Sequence, residues 1–299
     1  MQQPTNNMIG YIAGFLAISC WSGFVLVSRL GGQGVLMPVD TVALRFMIGC
    51  LLLLPLAYFY RPWFNLKGFV LALTGGLGYC FFVYAGFQHT TAVHAAVLLP
   101  GLIPFLSALF AVLFIAEKIT GLRAIGLALI GAGAGLMLTE PSANASVLGD
   151  MLIVLSVVCW ALYTVLAKRW KISPWQATTT VAYGSLVIFL PIYFSFFESK
   201  LSLAPWSELL LQGFYQGFIA VIVAMVFYMV AVEKIGPSKM GAMMAFVPVI
   251  SGLAAVALLS EPLTFHGVIA LCLTSLGALF AAGILSLRSR VAVLLTAEK

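Results

Sequence analysis

Two aromatic pairs at helical spacing offer the clearest chemistry in this sequence: Trp21 with Phe24, and Trp160 with Tyr163. A spacing of three places both members of a pair on one helix face. Aromatic faces stack on aromatic or cationic groups, and an indole N–H or phenol hydroxyl adds one polar contact. Tyr79 follows Gly75, Gly76 and Gly78, glycines that allow close helix approach or a bend. Such side chains also fill cores and interfacial belts, but Trp21 and Trp160 lie centrally within apolar runs, which argues against a belt. Trp21, Tyr79, Trp160 and Tyr163 are therefore the expected lining of a binding cavity. His94 reads first as a helix-end hydrogen-bonding group and second as a ligand contact, and Met244, beside Met243, as adaptable apolar wall.

Proline supplies the second kind of signal. Pro100, Pro104 and Pro248 remove intrahelical donors and free a carbonyl four residues earlier. Gly101, Pro104 and Pro248 are the expected hinge or gate positions, with a static kink as the alternative.

Charge is scarce. Glu117 and Glu261 stand at the ends of apolar runs, where capping or loop contacts account for them. Arg45 lies about two turns into the second run and is expected to snorkel outward or to pair with Asp40. Without a pair of cations to hold phosphate, a phosphorylated solute is disfavoured. Without a carboxylate at mid-depth, proton coupling through an acid is expected to be weak or absent. There is no paired-acid site, no H-E-x-x-H and no G-x-S-x-G, so no catalytic residue, metal or cofactor is expected. The five cysteines fall in apolar stretches and read as small packing residues.

The elements that must position these residues follow from composition. The chain has 299 residues, 63% of them hydrophobic and 8% charged, whereas soluble domains carry roughly 25% charged residues. The formal charge of +6 is spread thinly, with no basic stripe for nucleic acid. The partners expected are the lipid bilayer and a small-molecule substrate, with the protein a monomer or weak dimer. A span needs about 20 apolar residues. Breaks at charged, polar and proline positions give ten such runs: 8–28, 39–59, 67–88, 92–115 and 121–138, then 148–167, 175–195, 208–232, 238–259 and 264–286. No cleavable leader is expected, and the first run is taken as a span of the mature protein. With ten spans, twelve basic residues fall on the side of the two termini and two, Arg29 and Lys200, on the other, with Arg45 inside the second run. Positive loops stay inside, so both termini are expected in the cytoplasm, in the cell inner (plasma) membrane.

The two halves match. Gly10, Cys20, Trp21 and Arg29 recur as Gly149, Cys159, Trp160 and Lys168 at an offset of 139. Tyr84, Pro104, Glu117 and Thr120 recur as Tyr228, Pro248, Glu261 and Thr264 at an offset of 144. An odd number of spans per copy inverts the second. The expected fold class is all-α, a polytopic membrane protein of ten transmembrane helices in two inverted five-helix repeats, residues 1–141 and 142–299. Inverted repeats of this kind are the architecture of secondary transporters.

The run Ala-Val-x-Ala-Ala-x-Leu-x-Pro-Gly-Leu-x-Pro over residues 92–104, leading to Ala-Glu-Lys-Ile-Thr at 116–120, and its echo Ser-Glu-Pro-Leu-Thr at 260–264 resemble the drug/metabolite transporter superfamily, EamA type. Pro104, Pro248, Glu117 and Glu261 carry the likeness, most specific over 92–120 and 236–264. The resemblance implies export of metabolites or amino acids across the inner membrane, and the inverted repeat implies that it proceeds by alternating access. Within the superfamily the chain is most similar to the YddG-type aromatic amino-acid exporters, which points to amino acids including aromatic ones. Export of drug-like aromatic cations is the alternative; a channel or an intramembrane enzyme is less favoured. Cysteine-accessibility labelling from each side of the membrane checks the topology: both chain ends label from the cytoplasm, and ends on opposite faces would contradict the ten-span reading.

Overall fold

The computed structural model describes residues 4–119, 121–140 and 145–282. Thr120, Pro141 and the basic residues Arg288, Arg290 and Lys299 lie outside the described residues. The helices are α1 (Pro4–Gln33), α2 (Pro38–Phe59), α3 (Leu66–His89), α4 (Ala92–Ile115), α5 (Gly121–Leu138), α6 (Val147–Arg169), α7 (Pro174–Phe196), α8 (Trp206–Ile235), α9 (Pro237–Met244 continuing as Val247–Leu259) and α10 (Phe265–Ala281). Nine of these are long and apolar enough to cross a bilayer among the described residues, and α10 is a shorter apolar helix. The last expected span, 264–286, ends outside the described residues. Leu51, Leu113, Phe194 and Leu258 project outward from their helices, as hydrocarbon-facing side chains do.

Helix starts follow local chemistry. The side chains of Asn65, Thr91, Ser146, Ser173 and Thr264 each accept a hydrogen bond from a backbone amide in the first turn of α3, α4, α6, α7 and α10. Helix α1 is longer than its expected 8–28 because Ser28 and Arg29, polar enough to suggest an end, are buried and held within the protein. The prolines of α4 do not break it: Pro100 and Pro104 lie inside one continuous helix. Helix α9 is interrupted, at Ala245-Phe246, and Pro248 opens its second segment. Two π-helical stretches, Leu73–Gly78 in α3 and Tyr215–Val223 in α8, widen the turn at matched places in the two halves.

Contacts between connecting segments sort the helix ends into two groups. At one end, which holds Glu261, Ser146 donates to the His89 carbonyl, Val35 and Leu36 donate to Glu208, and Arg29 meets Glu261. At the other, which holds Glu117, the carbonyls of Tyr60 and Arg61 accept from Thr179 and Gln176, and Lys168 meets Glu117. Helix α1 thus runs toward the Glu261 end and its sequence counterpart α6 runs away from it. Packing repeats with the sequence. A Cβ on Gly10 would come within 2.6 Å of Ile235 at the end of α8, and one on the matched Gly149 within 2.5 Å of the His89 carbonyl carbon at the end of α3. Helix α4 ends on Ala116 with φ 50° and the second segment of α9 on Ser260 with φ 54°, residues related by the same offset of 144.

The tightest seam joins α5 and α10, where Gly126 and Gly277 bring the two backbones together. A Cβ on Gly126 would stand 2.5 Å from the Gly277 carbonyl oxygen and 2.6 Å from the Ala281 amide nitrogen, and backbone atoms have no rotamer to move aside. Gly126→Val is expected to cost on the order of 1–3 kcal/mol by overpacking. A lowered thermal midpoint of the detergent-purified protein is the readout; an unchanged midpoint would contradict this packing.

Candidate functional site

A cavity lies among α1, α2, α3, α6, α7 and α8, lined by Trp21, Arg45, Phe46, Gly75, Cys80, Trp160, Tyr163, Thr178, Val181 and Met225 among others. It holds about 90 Å³ of water-centre positions. One water needs roughly 10–15 Å³ on that scale, so a small solute fits. The lining runs from mid-depth to Thr178, in the first turns of α7 at the Glu117 end. The π-helical turns supply part of the wall through Gly75, Ala220 and Val221. Gly75 is needed as glycine, since a Cβ there would press to 2.5 Å against the Tyr163 ring. Trp160 and Tyr163 pack at 5.2 Å between centroids, as their spacing of three requires, and Trp21 packs on Tyr228 at 5.5 Å.

Arg45 is placed differently from its expectation. It neither snorkels outward nor pairs with Asp40. Asp40 is fully buried and accepts hydrogen bonds from the Met37 and Lys200 amides and the Tyr193 hydroxyl. The Arg45 guanidinium instead opens onto the cavity, 5.8 Å above the Phe24 ring, and donates to the Tyr84 hydroxyl at 3.2 Å. Among the described residues it is the only charged side chain in the lining, and it has no carboxylate partner. Behind it, Tyr84 donates to Gln216, which bonds Ser28, and Gln212 donates to the Val27 carbonyl. This buried polar layer separates the cavity from the Glu261 end.

The two ends are built from the same parts in different states. Glu261 and Glu117 match at one offset, and Arg29 and Lys168 at the other. Arg29 Nε donates to Glu261 at 2.9 Å with the side chains only 9% and 8% exposed. Glu261 also accepts from the Val93 amide at the start of α4, and Arg29 donates to the Phe87 carbonyl. At the opposite end Lys168 reaches Glu117 at 2.8 Å, but the side chains are 65% and 28% exposed. The Arg123 guanidinium, and then Lys168, hold the Glu117 carboxyl below the usual carboxylate range. Packing follows the same asymmetry. Ala92 to Leu99 of α4 are all buried, whereas in the matched stretch 236–243 only Met240 is, among the side chains described. Helix α1 packs along α3, while the counterparts α6 and α8 make no comparable contact. The structure is shut at the Glu261 end and parted at the Glu117 end.

Of the sequence-derived candidates, Trp21, Trp160 and Tyr163 line the cavity together. Tyr79 stands behind the wall, buried between Phe24 at 6.4 Å and Trp160 at 4.9 Å. Met244 packs in the apolar cluster around Trp21 and Tyr228 without lining the cavity. His94 lies at the shut end, buried, with Nδ1 2.9 Å from Asp150. Gly101 faces Thr274 of α10, Pro104 is a half-buried interior residue of α4, and Pro248 is buried beside the interruption in α9. Sequence reasoning missed Arg45 as a lining residue and missed Glu261 as half of a buried ion pair. The signal for the first was present: Asp40 sits five residues away, a spacing that takes it off the Arg45 face of a 3.6-residue helix.

The EamA-like transporter family profile matches this chain twice, over residues 8–139 and 147–283. The chain belongs to that family. It is 26% identical over 227 residues to the uncharacterized transporter YyaM of Bacillus subtilis (strain 168), covering 72% of each chain. It is also 26% identical over 265 residues to an uncharacterized transporter of Archaeoglobus fulgidus, covering 88% of this chain and 94% of the relative. A solved crystal structure shares the fold at a TM-score of 0.63 and 20% identity, covering 94% of this chain and 98% of the other. Membership in the EamA-like family makes this a multi-pass membrane transporter of small molecules.

The two ion pairs differ in energetic weight. Removing one partner of a buried pair leaves an uncompensated charge and costs about 3–5 kcal/mol, while an exposed pair is worth roughly 0–1 kcal/mol. Glu261→Gln is therefore expected to lower the thermal midpoint clearly, and Glu117→Gln to leave it nearly unchanged at neutral pH. Because the Glu117 carboxyl titrates below its ordinary value, its small contribution is full above that value and fades only as the solution becomes more acidic still. Equal effects of the two substitutions would contradict the assignment of a shut and a parted end.

Proposed function

We propose that this chain exports small metabolites, foremost amino acids and aromatic ones among them, across the cell inner membrane by alternating access through the central aromatic-lined cavity. The observation that carries the reading is the pairing of one cavity with two equivalent ends in opposite states. Residues 1–141 and 142–299 act as the two inverted units, and exchanging their conformations would shut the Glu117 end and part the Glu261 end. The excess of basic residues supports a cytoplasmic Glu117 end and cytoplasmic termini. The parted end then faces the cytoplasm, the side from which an exporter loads. Trp21, Trp160 and Tyr163 offer ring faces for the solute. The protein works as a monomer or weak dimer, since the cavity is enclosed by helices of one chain. Export of aromatic cations is the weaker reading, because the charge facing the cavity is that of Arg45.

Counterflow into proteoliposomes tests this. Labelled phenylalanine, tryptophan and leucine should enter saturably and faster when unlabelled solute is inside. Stacking on an aromatic side chain is worth about 0.5–1.5 kcal/mol, so Trp21→Ala and Trp160→Ala should each weaken apparent affinity roughly 2- to 13-fold without loss of folding. Flux that neither saturates nor responds to internal solute would mean a channel. Unchanged affinity in both variants would remove these tryptophans from the site.

A further inference from the structure

We infer that Arg45 is the anchor for a carboxylate on the transported solute, so that the cavity selects small monoanionic or zwitterionic carboxylates carrying an apolar or aromatic group. The inference rests on the proposed role of the cavity and names the chemical class it takes. Arginine carries five N–H donors in a rigid planar fork. In Arg45 one donor is used, on the Tyr84 hydroxyl, and the ring of Phe24 lies beneath the guanidinium. The remaining donors have no protein acceptor among the described residues and face the cavity. A charge taken out of water without an acid partner is costly, and in a membrane span such a residue marks a ligand path. Among the described residues, every other buried charged side chain has its partner: Asp40 has its three donors, Glu261 has Arg29, and Asp150 has His94. Among the described residues, Arg45 alone faces the cavity as a charge without an acid partner.

The shape of the site narrows the ligand. A guanidinium fork matches a planar carboxylate through two parallel hydrogen bonds. One guanidinium balances a single negative charge; a phosphate ester carries nearly two and finds no second cation in the lining. Trp21, Trp160 and Tyr163 share the cavity with Arg45, so a carboxylate held there leaves the rest of a small solute against ring faces. No acid lines the cavity to hold an ammonium group, so an amino group is accepted but not required.

Calorimetric titration of the full-length protein in nanodiscs tests this with four probes: 3-phenylpropionate, 3-phenylpropionamide, hexanoate and phenyl phosphate. The unmodified protein should bind the phenyl acid at least tenfold more tightly than its neutral amide, and more tightly than phenyl phosphate. In Arg45→Gln the gap between acid and amide should close, and Arg45→Lys, which keeps the charge but not the fork, should retain part of it. Acid and amide binding equally to the unmodified protein would overturn the anchor, a result that needs no variant to fold, while leaving the aromatic cavity standing. A full acid preference persisting in Arg45→Gln, or tighter binding of phenyl phosphate, would also overturn it. Hexanoate binding as well as 3-phenylpropionate would support the anchor and remove the aromatic reading. Failure of all four probes to bind would overturn both.

Discussion

The buried contact between Arg29 and Glu261 is the constraint on which the arrangement of the whole bundle depends. Its 2.9 Å ion pair ties the end of α1 to the segment between α9 and α10. The second carboxylate oxygen takes the Val93 amide at the start of α4, and the guanidinium also reaches the Phe87 carbonyl in α3. One ion pair thereby gathers both repeats at a single end. Two charges buried this deeply are stable only while each satisfies the other. The matching pair at the opposite end involves equivalent residues but stands in water, where its attraction is small. The repeats are alike in sequence, but their present packing differs, and that difference opens the cavity at one end.

Between the two ends the protein gives up apolar packing for a chamber walled by aromatic and small apolar side chains and cationic at one point. The π-helical turns of α3 and α8 and the small side of Gly75 create its volume. Tyr84 and Gln216 hold the guanidinium of Arg45 from behind, while Phe24, itself stacked on Tyr79, lies under it. Tyr79 therefore acts on the chamber through Phe24 and Trp160 without meeting its contents. The layer that positions the cation is also the layer that closes the chamber from the Glu261 end.

Much of the fold was legible in the sequence. Run lengths and charge breaks located the helices to within a few residues, because a bilayer demands about 20 apolar residues per span. Offsets of 139 and 144 revealed the repeat, and the αL residues Ala116 and Ser260 keep the second of them at the level of backbone angle. Trp21, Trp160 and Tyr163 were read as cavity residues from spacing and centrality, and they share a cavity. The rest depended on tertiary pairing that no local pattern carries. Glu261 read as a helix-end group because its partner is 232 residues away. Arg45 read as a snorkelling or Asp40-paired residue because nothing in the sequence says that Tyr193 takes Asp40. Proline did not locate the break in a helix: Pro100 and Pro104 sit within an unbroken α4, while the interruption of α9 falls at Ala245-Phe246.

Electron–electron distance measurements on spin-label pairs at the two ends, in nanodiscs with and without solute, test the central claim most directly. Leu30 with Gln88 reports α1 against α3 at the Glu261 end, and Arg169 with Glu233 reports α6 against α8 at the Glu117 end; all four positions are exposed. If one cavity is served by two equivalent ends that cannot part together, the two distances change in opposite directions, one lengthening as the other shortens. Distances that lengthen together, or that stay fixed in every condition under which the protein transports, would contradict it.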